Sequence, residues 1–221
     1  MKNNPSSRES YAQAYQDVFV ETILKRKRDG YYVEIGSHHP ITNNNTYLLE
    51  KKYNWKGLMV EYLTSFKSLY ETHRPNAHVI LEDARKINYR QFLDDHYYPV
   101  NIDYLQMDLD VDNKSTLDTF LLLNDTVFDK YKFATITFEH DIYTGNYFDT
   151  QSISRKILKD RGYILVFPNV SILWGDSYKA FEDWYVHPDL VDMSQVNELL
   201  STDSLTCVQI KEKLTQAIGN T

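Results

Sequence analysis

Three short β-rich runs in this chain each end on a residue suited to holding a nucleoside. Tyr31-Tyr32-Val33-Glu34-Ile35 stops at Gly36 and Ser37, Gly57-Leu58-Met59-Val60-Glu61 stops on an acid followed by Tyr62, and His78-Val79-Ile80-Leu81 runs into Glu82-Asp83-Ala84. A glycine after a strand lets the backbone approach a ligand closely. An acid closing the next strand accepts hydrogen bonds from ribose hydroxyls, as in dinucleotide folds. Asp83 can accept from an adenine amino group, and the small Ala84 leaves room for the ring. Tyr62 belongs with Glu61 in the expected cofactor-binding set. The loop after the first run reads Gly36-Ser37-His38-His39-Pro40, without the glycine repeat that lets a diphosphate press against the backbone. An adenosine cofactor lacking phosphates therefore fits better than NAD or FAD, and S-adenosylmethionine is the expected one.

A second constellation is acidic. Asp108 and Asp110 close one β-rich run, and Glu139, His140 and Asp141 close the next. Methyl transfer to a hydroxyl needs alignment together with a base, or a metal that lowers the hydroxyl pKa. Carboxylates from adjacent strand ends can converge on an oxygen-loving cation such as Mg²⁺. Asp108 and Glu139 are the candidate ligands of a divalent metal or of the acceptor itself, and His140 and Asp110 are the candidate catalytic residues. The bland alternative makes Asp110, Asp112 and Asp141 helix caps or solvated surface. His38 and His39 are adjacent in a loop, without a third ligand at a metal-binding spacing, and His38 is expected to be a loop residue near the cofactor. Trp174, Trp184 and Tyr185 could form an aromatic acceptor wall or pack the tail onto the sheet.

The elements that must position these residues alternate strand and helix, the pattern of a mostly parallel sheet covered on both faces. Helices are expected at 12–27, 46–53, 64–72, 88–95, 115–123, 152–160, 194–200 and 204–218. Strands are expected at 31–35, 57–61, 78–81, 102–109 and 133–138. Tyr163 to Phe167, Pro168-Asn169 and Val170 to Trp174 read as a closing antiparallel hairpin. Residues 1–221 are expected to form one domain: a helical segment over 1–30, a catalytic core over 31–175 and an extension over 176–221.

The formal net charge of −7 opposes long-range attraction to a phosphate backbone, so a nucleic-acid partner is not expected. The basic run Lys25-Arg26-Lys27-Arg28 reads as a solvated helix end. The single cysteine, Cys207, allows no intrachain disulfide and makes a thiolate zinc site implausible. Met1 to Ser10 is polar, and no apolar run approaches the roughly 20 residues that span a bilayer. A soluble, cytoplasmic protein is the expectation.

Taken in order, several segments resemble the FkbM-type class I methyltransferases, over about residues 10–170: Gln13-Ala14-Tyr15-Gln16-Asp17, Tyr32-Val33-Glu34-Ile35-Gly36, Asn44-Asn45-Thr46, Trp55 to Glu61, Arg74-Pro75 and Tyr104-Leu105-Gln106-Met107-Asp108. The resemblance implies a Rossmann-like α/β fold with a mostly parallel seven-stranded sheet, a terminal antiparallel hairpin and helices on both faces. It implies O-methylation of a small polar acceptor such as a saccharide. It places Glu34, Gly36, Ser37, Thr46, Gln16 and Asp17 around the methionine end of the cofactor, Glu61 on the ribose, Asp83 on the adenine, and Asp108 beside them. One departure falls on the substrate side: Asp108-Leu109-Asp110-Val111-Asp112 keeps carboxylates but lacks the family's glycine. Two readings compete with the enzyme: a degenerate fold serving as a scaffold, and a metal-dependent hydrolase using the acidic rim alone.

Overall fold

The computed structural model describes residues 9–110, 113–145 and 147–219. In chain order the elements are α1 (Gln16–Ile23), β1 (Tyr31–Ile35), α2 (Tyr47–Tyr53), β2 (Lys56–Glu61), α3 (Lys67–His73), β3 (His78–Leu81), α4 (Tyr89–Asp95), β4 (Asn101–Met107), α5 (Ser115–Thr126), β5 (Lys132–Glu139), α6 (Phe148–Asp160), β6 (Ile164–Trp174), β7 (Ser177–Val186), α7 (Met193–Leu199) and α8 (Cys207–Gly219). Short 3₁₀ turns occupy Thr64–Phe66, Ala84–Lys86 and Ile142–Thr144.

The seven strands form one sheet in the order β3-β2-β1-β4-β5-β7-β6. Strands β1 to β5 pair in parallel, while β7 runs antiparallel to both β5 and β6. This is the Rossmann-like class I methyltransferase fold. Burial on both faces explains why the strands read as nearly continuous apolar runs. Val33, Ile35, Leu58, Val60, Leu105, Met107 and Ile136 pack one face against Leu93 of α4, Phe120 and Leu123 of α5 and Leu158 of α6. Tyr32, Met59, Tyr104 and Trp184 pack the other against Val18 and Phe19 of α1, Val196 of α7 and Ile210 and Leu214 of α8. Gly57 is required for packing, because a side chain there would overlap the Tyr32 ring on β1.

Two expectations are corrected. The closing hairpin does not turn at Pro168-Asn169. That dipeptide is an irregularity inside β6, and the turn falls at Gly175-Asp176, with β7 supplied by residues assigned to the C-terminal extension. Proline lacks the N–H for a ladder bond, so it produces a register shift within the strand, and the sequence disguises this as a turn. The first helix is also shorter than its periodicity predicts. Tyr15 before it and Lys25 and Arg26 after it are left-handed, which confines regular helix to Gln16–Ile23. Among the described residues no helix is long and apolar enough to cross a membrane.

Candidate functional site at the strand tips

Strand register determines which residues meet at the carboxyl edge. Ile35 pairs with both Val60 and Met107, Met107 with Phe138, and Glu139 with Glu182. The next level along the sheet therefore holds Gly36, Glu61, Asp108, Glu139 and Glu182. Connections leave in opposite directions on either side of the β1–β4 pair, and such a switch point opens a crevice where ligands bind in open α/β sheets. Gly36 has φ +85°, and a Cβ on it would overlap the carbonyl oxygen of Asp108. Close approach of the β1 and β4 tips thus depends on that glycine.

Past Gly36 the backbone N–H groups are already committed. Gly36 and Ser37 both donate to the Val60 carbonyl, at 2.9 and 3.0 Å. His38 donates to Glu61 Oε2 at 2.7 Å, while Leu63 donates to Glu61 Oε1 at 2.8 Å. The Glu61 carboxylate, 7% exposed, is therefore held rigidly by two amides, and each oxygen retains a second lone pair. Tyr62 beside it is 71% exposed. Asp83 receives the Arg85 side chain through two bonds, at 2.9 and 2.7 Å, and the Arg85 amide at 3.0 Å. These bonds bring its pKa down to about 2, so it stays an acceptor. Ala84 is buried next to it.

Four residues expected at the methionine end do structural work. Asp17 is fully buried and accepts from the Ser10 hydroxyl and the Tyr11 and Val18 amides, which fastens residues 10–12 to α1. Gln16 accepts from the Ala14 amide and donates to Glu182 at 2.8 Å. Glu34 accepts from Thr46 Oγ1 at 2.7 Å, the Asn45 amide and the Asn44 side chain. Thr46 has no exposure, and its hydroxyl also accepts from Arg74. Gln16, Asp17, Glu34 and Thr46 are therefore buried and fasten the segments around the β1 tip through these bonds. Burial raises Glu34 to about 7, opposed by Arg74 and the three donors. Ser37 donates to Val60 O or pairs with the Tyr70 hydroxyl, and it is likewise buried.

Sequence reasoning missed the hub of this network. Arg74, with no side-chain exposure, donates to Glu50, Pro40 O, Asn44, Tyr32 and Thr46 within 2.8–3.1 Å. Its pattern signal was only the Arg74-Pro75 pair. A lone arginine after a helix reads as surface until the fold shows five acceptors converging on it.

The acidic rim divides in two. Asp108 is partly exposed just past the end of β4, and its carboxyl is raised well above the usual range by burial and then by the carboxylates of Glu182, Asp141, Glu34 and Glu61. Glu182, fully buried under Gln16 and Trp184 Nε1, is pushed up by burial to about 7. Asp110 is exposed, while Val111 and Asp112 lie outside the described residues. His140 does not open onto the crevice. Its ring is fully buried, with Nε2 3.4 Å from Asp183 and 3.3 Å from Gln151 Nε2, and Nδ1 facing the Ile142 amide. Asp183 in turn takes two bonds from Arg155 at 2.6 and 2.8 Å. Burial alone would raise Asp183, but Arg155 and His140 hold it well below the ordinary carboxylate range. His140 is thus a brace between β5, α6 and β7. The expected Asp108–Glu139 metal pair is not completed: among the described residues no group of three His, Cys, Asp or Glu could hold an ion. Of the expected aromatic wall, Trp184 and Tyr185 are core residues at 0% and 2% exposure, and only Trp174, at 58%, faces solvent.

Similarity to solved structures agrees with this architecture. An O-methyltransferase from Bacillus cereus, solved in complex with S-adenosylhomocysteine, superimposes with a TM-score of 0.55 at 15% identity, covering 83% of this chain and 84% of that one. A precorrin-6y C5,15-methyltransferase from Geobacter metallireducens gives a TM-score of 0.47 at 14% identity, covering 84% of this chain and 91% of that one. At 15% identity the likeness to the Bacillus cereus enzyme is one of fold. No protein-family model matches the chain, and no curated protein matches it.

Proposed function

We propose that this chain is an S-adenosylmethionine-dependent methyltransferase acting on a hydroxyl of a small polar acceptor, with a saccharide the class that fits. The reading is supported by one observation: Gly36, Glu61 and Asp108 stand level at the carboxyl ends of β1, β2 and β4, around the point where the strand order reverses, and Asp83 follows the carboxyl end of neighbouring β3.

The residues suit the cofactor. The Gly36, Ser37 and His38 amides are spent on Val60 and Glu61, so no row of N–H groups awaits a diphosphate. Glu61 would hold the ribose hydroxyls with its remaining lone pairs, Asp83 and Ala84 would bound the adenine, and the Gly36 backbone would lie beside the methionine part. When bound, S-adenosylmethionine supplies an electrophilic methyl group on a sulfonium centre.

The protein's own contribution is alignment and a proton acceptor. Asp108, desolvated by burial and crowded by other acids, has a carboxylate more basic than usual, which suits it, once ionised, to take the proton from an acceptor hydroxyl as the oxygen becomes nucleophilic. Glu139 stands level with it on β5 and supplies a second oxygen edge. His140 acts through Asp183 and Arg155 as a positioning residue.

Calorimetry tests the reading. S-adenosylmethionine or S-adenosylhomocysteine is expected to bind, and Glu61→Ala should weaken binding about tenfold or more, given ~1.5–3 kcal/mol for a hydrogen bond to a charged group. Asp108→Asn should lower transfer by about 10²–10⁴, the range for loss of a positioned base. Absence of binding at millimolar cofactor would leave the fold serving as a scaffold.

A further inference from the structure

We propose that the tip of the β6–β7 hairpin is the acceptor's seat and that the acceptor is a saccharide, its ring against Trp174 and Tyr143 and its hydroxyls reaching Asp108 and Asp141. The proposal rests on the transferase reading only for what happens to the acceptor once seated.

The register places the hairpin over the crevice side. β5 ends at Glu139, opposite Glu182 of β7 and, through it, Val170 of β6. Beyond that level β6 continues through Ser171 to Trp174, and β7 begins at Ser177. The tip therefore projects past the carboxyl edge of the sheet, on the side of Glu139 and, one strand further, Asp108. It carries Trp174 at 58% exposure and, on the opposite face of the strands, the cross-strand pair Leu173 at 61% and Tyr178 at 48%, all left in water.

The segment after β5 brings a second aromatic ring to Trp174. The His140 and Asp141 amides both donate to the Phe181 carbonyl, at 2.7 and 3.0 Å, which clamps the Ile142–Thr144 turn against the hairpin. From that turn the Tyr143 ring lies 6.2 Å from the Trp174 ring at 45°. Burial raises the Tyr143 phenol, and so do the neighbouring charges of Asp141 and Asp108. Tyr143 thus sits beside the aromatic tip and within electrostatic reach of Asp141 and Asp108. Below them Gln106 is 1% exposed, and neither atom of its amide has a hydrogen-bond partner. It lies between Glu34 and Thr137 in register, two residues before Asp108 on the same strand face. One oxygen of Glu139 is likewise buried without a partner. Unsatisfied polar groups in a built interior call for a polar ligand or ordered water.

An aromatic pair beside carboxylates is complementary to a sugar ring. The C–H face of such a ring covers aromatic carbon, while its rim of hydroxyls donates to carboxylate oxygens. A purely apolar ligand would leave the carboxylates desolvated and unpaired.

Fluorescence tests this directly. Of the three tryptophans, Trp55 and Trp184 are 2% and 0% exposed, so acrylamide quenching reports on Trp174. Millimolar methyl glycosides should shield Trp174 about twofold or more from quenching, and Trp174→Phe should abolish the sugar-dependent change. Trp174→Ala should raise KM for a saccharide about tenfold, with kcat and calorimetric cofactor binding kept. Shielding by tetramethylammonium but not by glycosides would overturn the proposal in favour of an organic cation. Shielding that grows with protein concentration alone, with dimers in sedimentation, would overturn it in favour of a second copy. No shielding by any glycoside while S-adenosylmethionine binds would overturn it and leave the transferase reading standing. Glycoside shielding without cofactor binding would support the saccharide seat and sink the transferase reading.

Discussion

Gly36 concentrates the demands of the site on one residue. Its φ of +85° is costly for an L side chain, and the Asp108 carbonyl occupies the space a methyl group would need. Backbone cannot yield as a side-chain end can, so Gly36→Ala must separate the β1 and β4 tips. We expect Gly36→Ala to lose cofactor binding entirely by calorimetry and to melt several degrees lower. If instead it bound cofactor as the native protein does, the close approach of the two tips would be irrelevant to the site. Glu61 makes a different demand. Its carboxylate is clamped by His38 and Leu63 amides, so its orientation is set before any ligand arrives.

At the scale of elements, the β1–α2 loop is an irregular segment held by buried polar chemistry. Glu50 from α2, and Asn44 and Thr46 from the loop, all meet Arg74 at the end of α3, and the same Asn44 and Thr46 side chains donate to Glu34 from β1. Removing one partner of a buried ionic group leaves the rest uncompensated, at about 3–5 kcal/mol. Arg74→Met should therefore cost about that much in chemical denaturation, and Arg74→Lys should not restore it, since an ammonium cannot supply the guanidinium's directional fork. A loss under 1 kcal/mol would mean the network is not what holds the loop. The brace of His140, Asp183 and Arg155 plays the matching part on the far side, tying β5 and β7 to α6.

For the whole molecule, buried acids dictate how stability varies with pH. Asp17 is raised to about 6, and Glu34 and Glu182 to about 7, in each case chiefly by burial. Between their ordinary values near 4 and these raised ones, the folded state holds protons that the unfolded chain has released. Stability therefore falls as pH rises through that window. The lowered acids Asp83 and Asp94, both near 2, act only below pH 4, while His78 and His187, lowered chiefly by burial, oppose the trend near their ordinary 6.5 and are outnumbered by the three acids. Thermal melts should show a higher midpoint near pH 5 than at pH 7.5, and Glu34→Gln should flatten the difference. A midpoint that climbs steadily from pH 5 to 7.5 would contradict the burial assigned to these three groups.

Much of this was legible in the chain because it is local. Strand 31–35 and strand 78–81 were read to the residue, since short β-rich runs bounded by glycine or acid carry their own limits. The glycine and the acids at the tips were legible for the same reason: residue type at a strand end follows from what the backbone there can do. Burial and direction were not legible. Gln16, Asp17, Glu34, Thr46 and His140 have the chemistry of a site, yet the fold turns each inward to a partner remote in sequence, as when Gln16 meets Glu182. Pro168-Asn169 has the composition of a turn, yet pairing with β7 holds it inside a strand. The sequence by itself determined the alternation of elements and the kinds of group each tip would carry. Only tertiary structure decided which of those groups keep a free edge, because a hydrogen bond between distant segments depends on packing that no local pattern encodes.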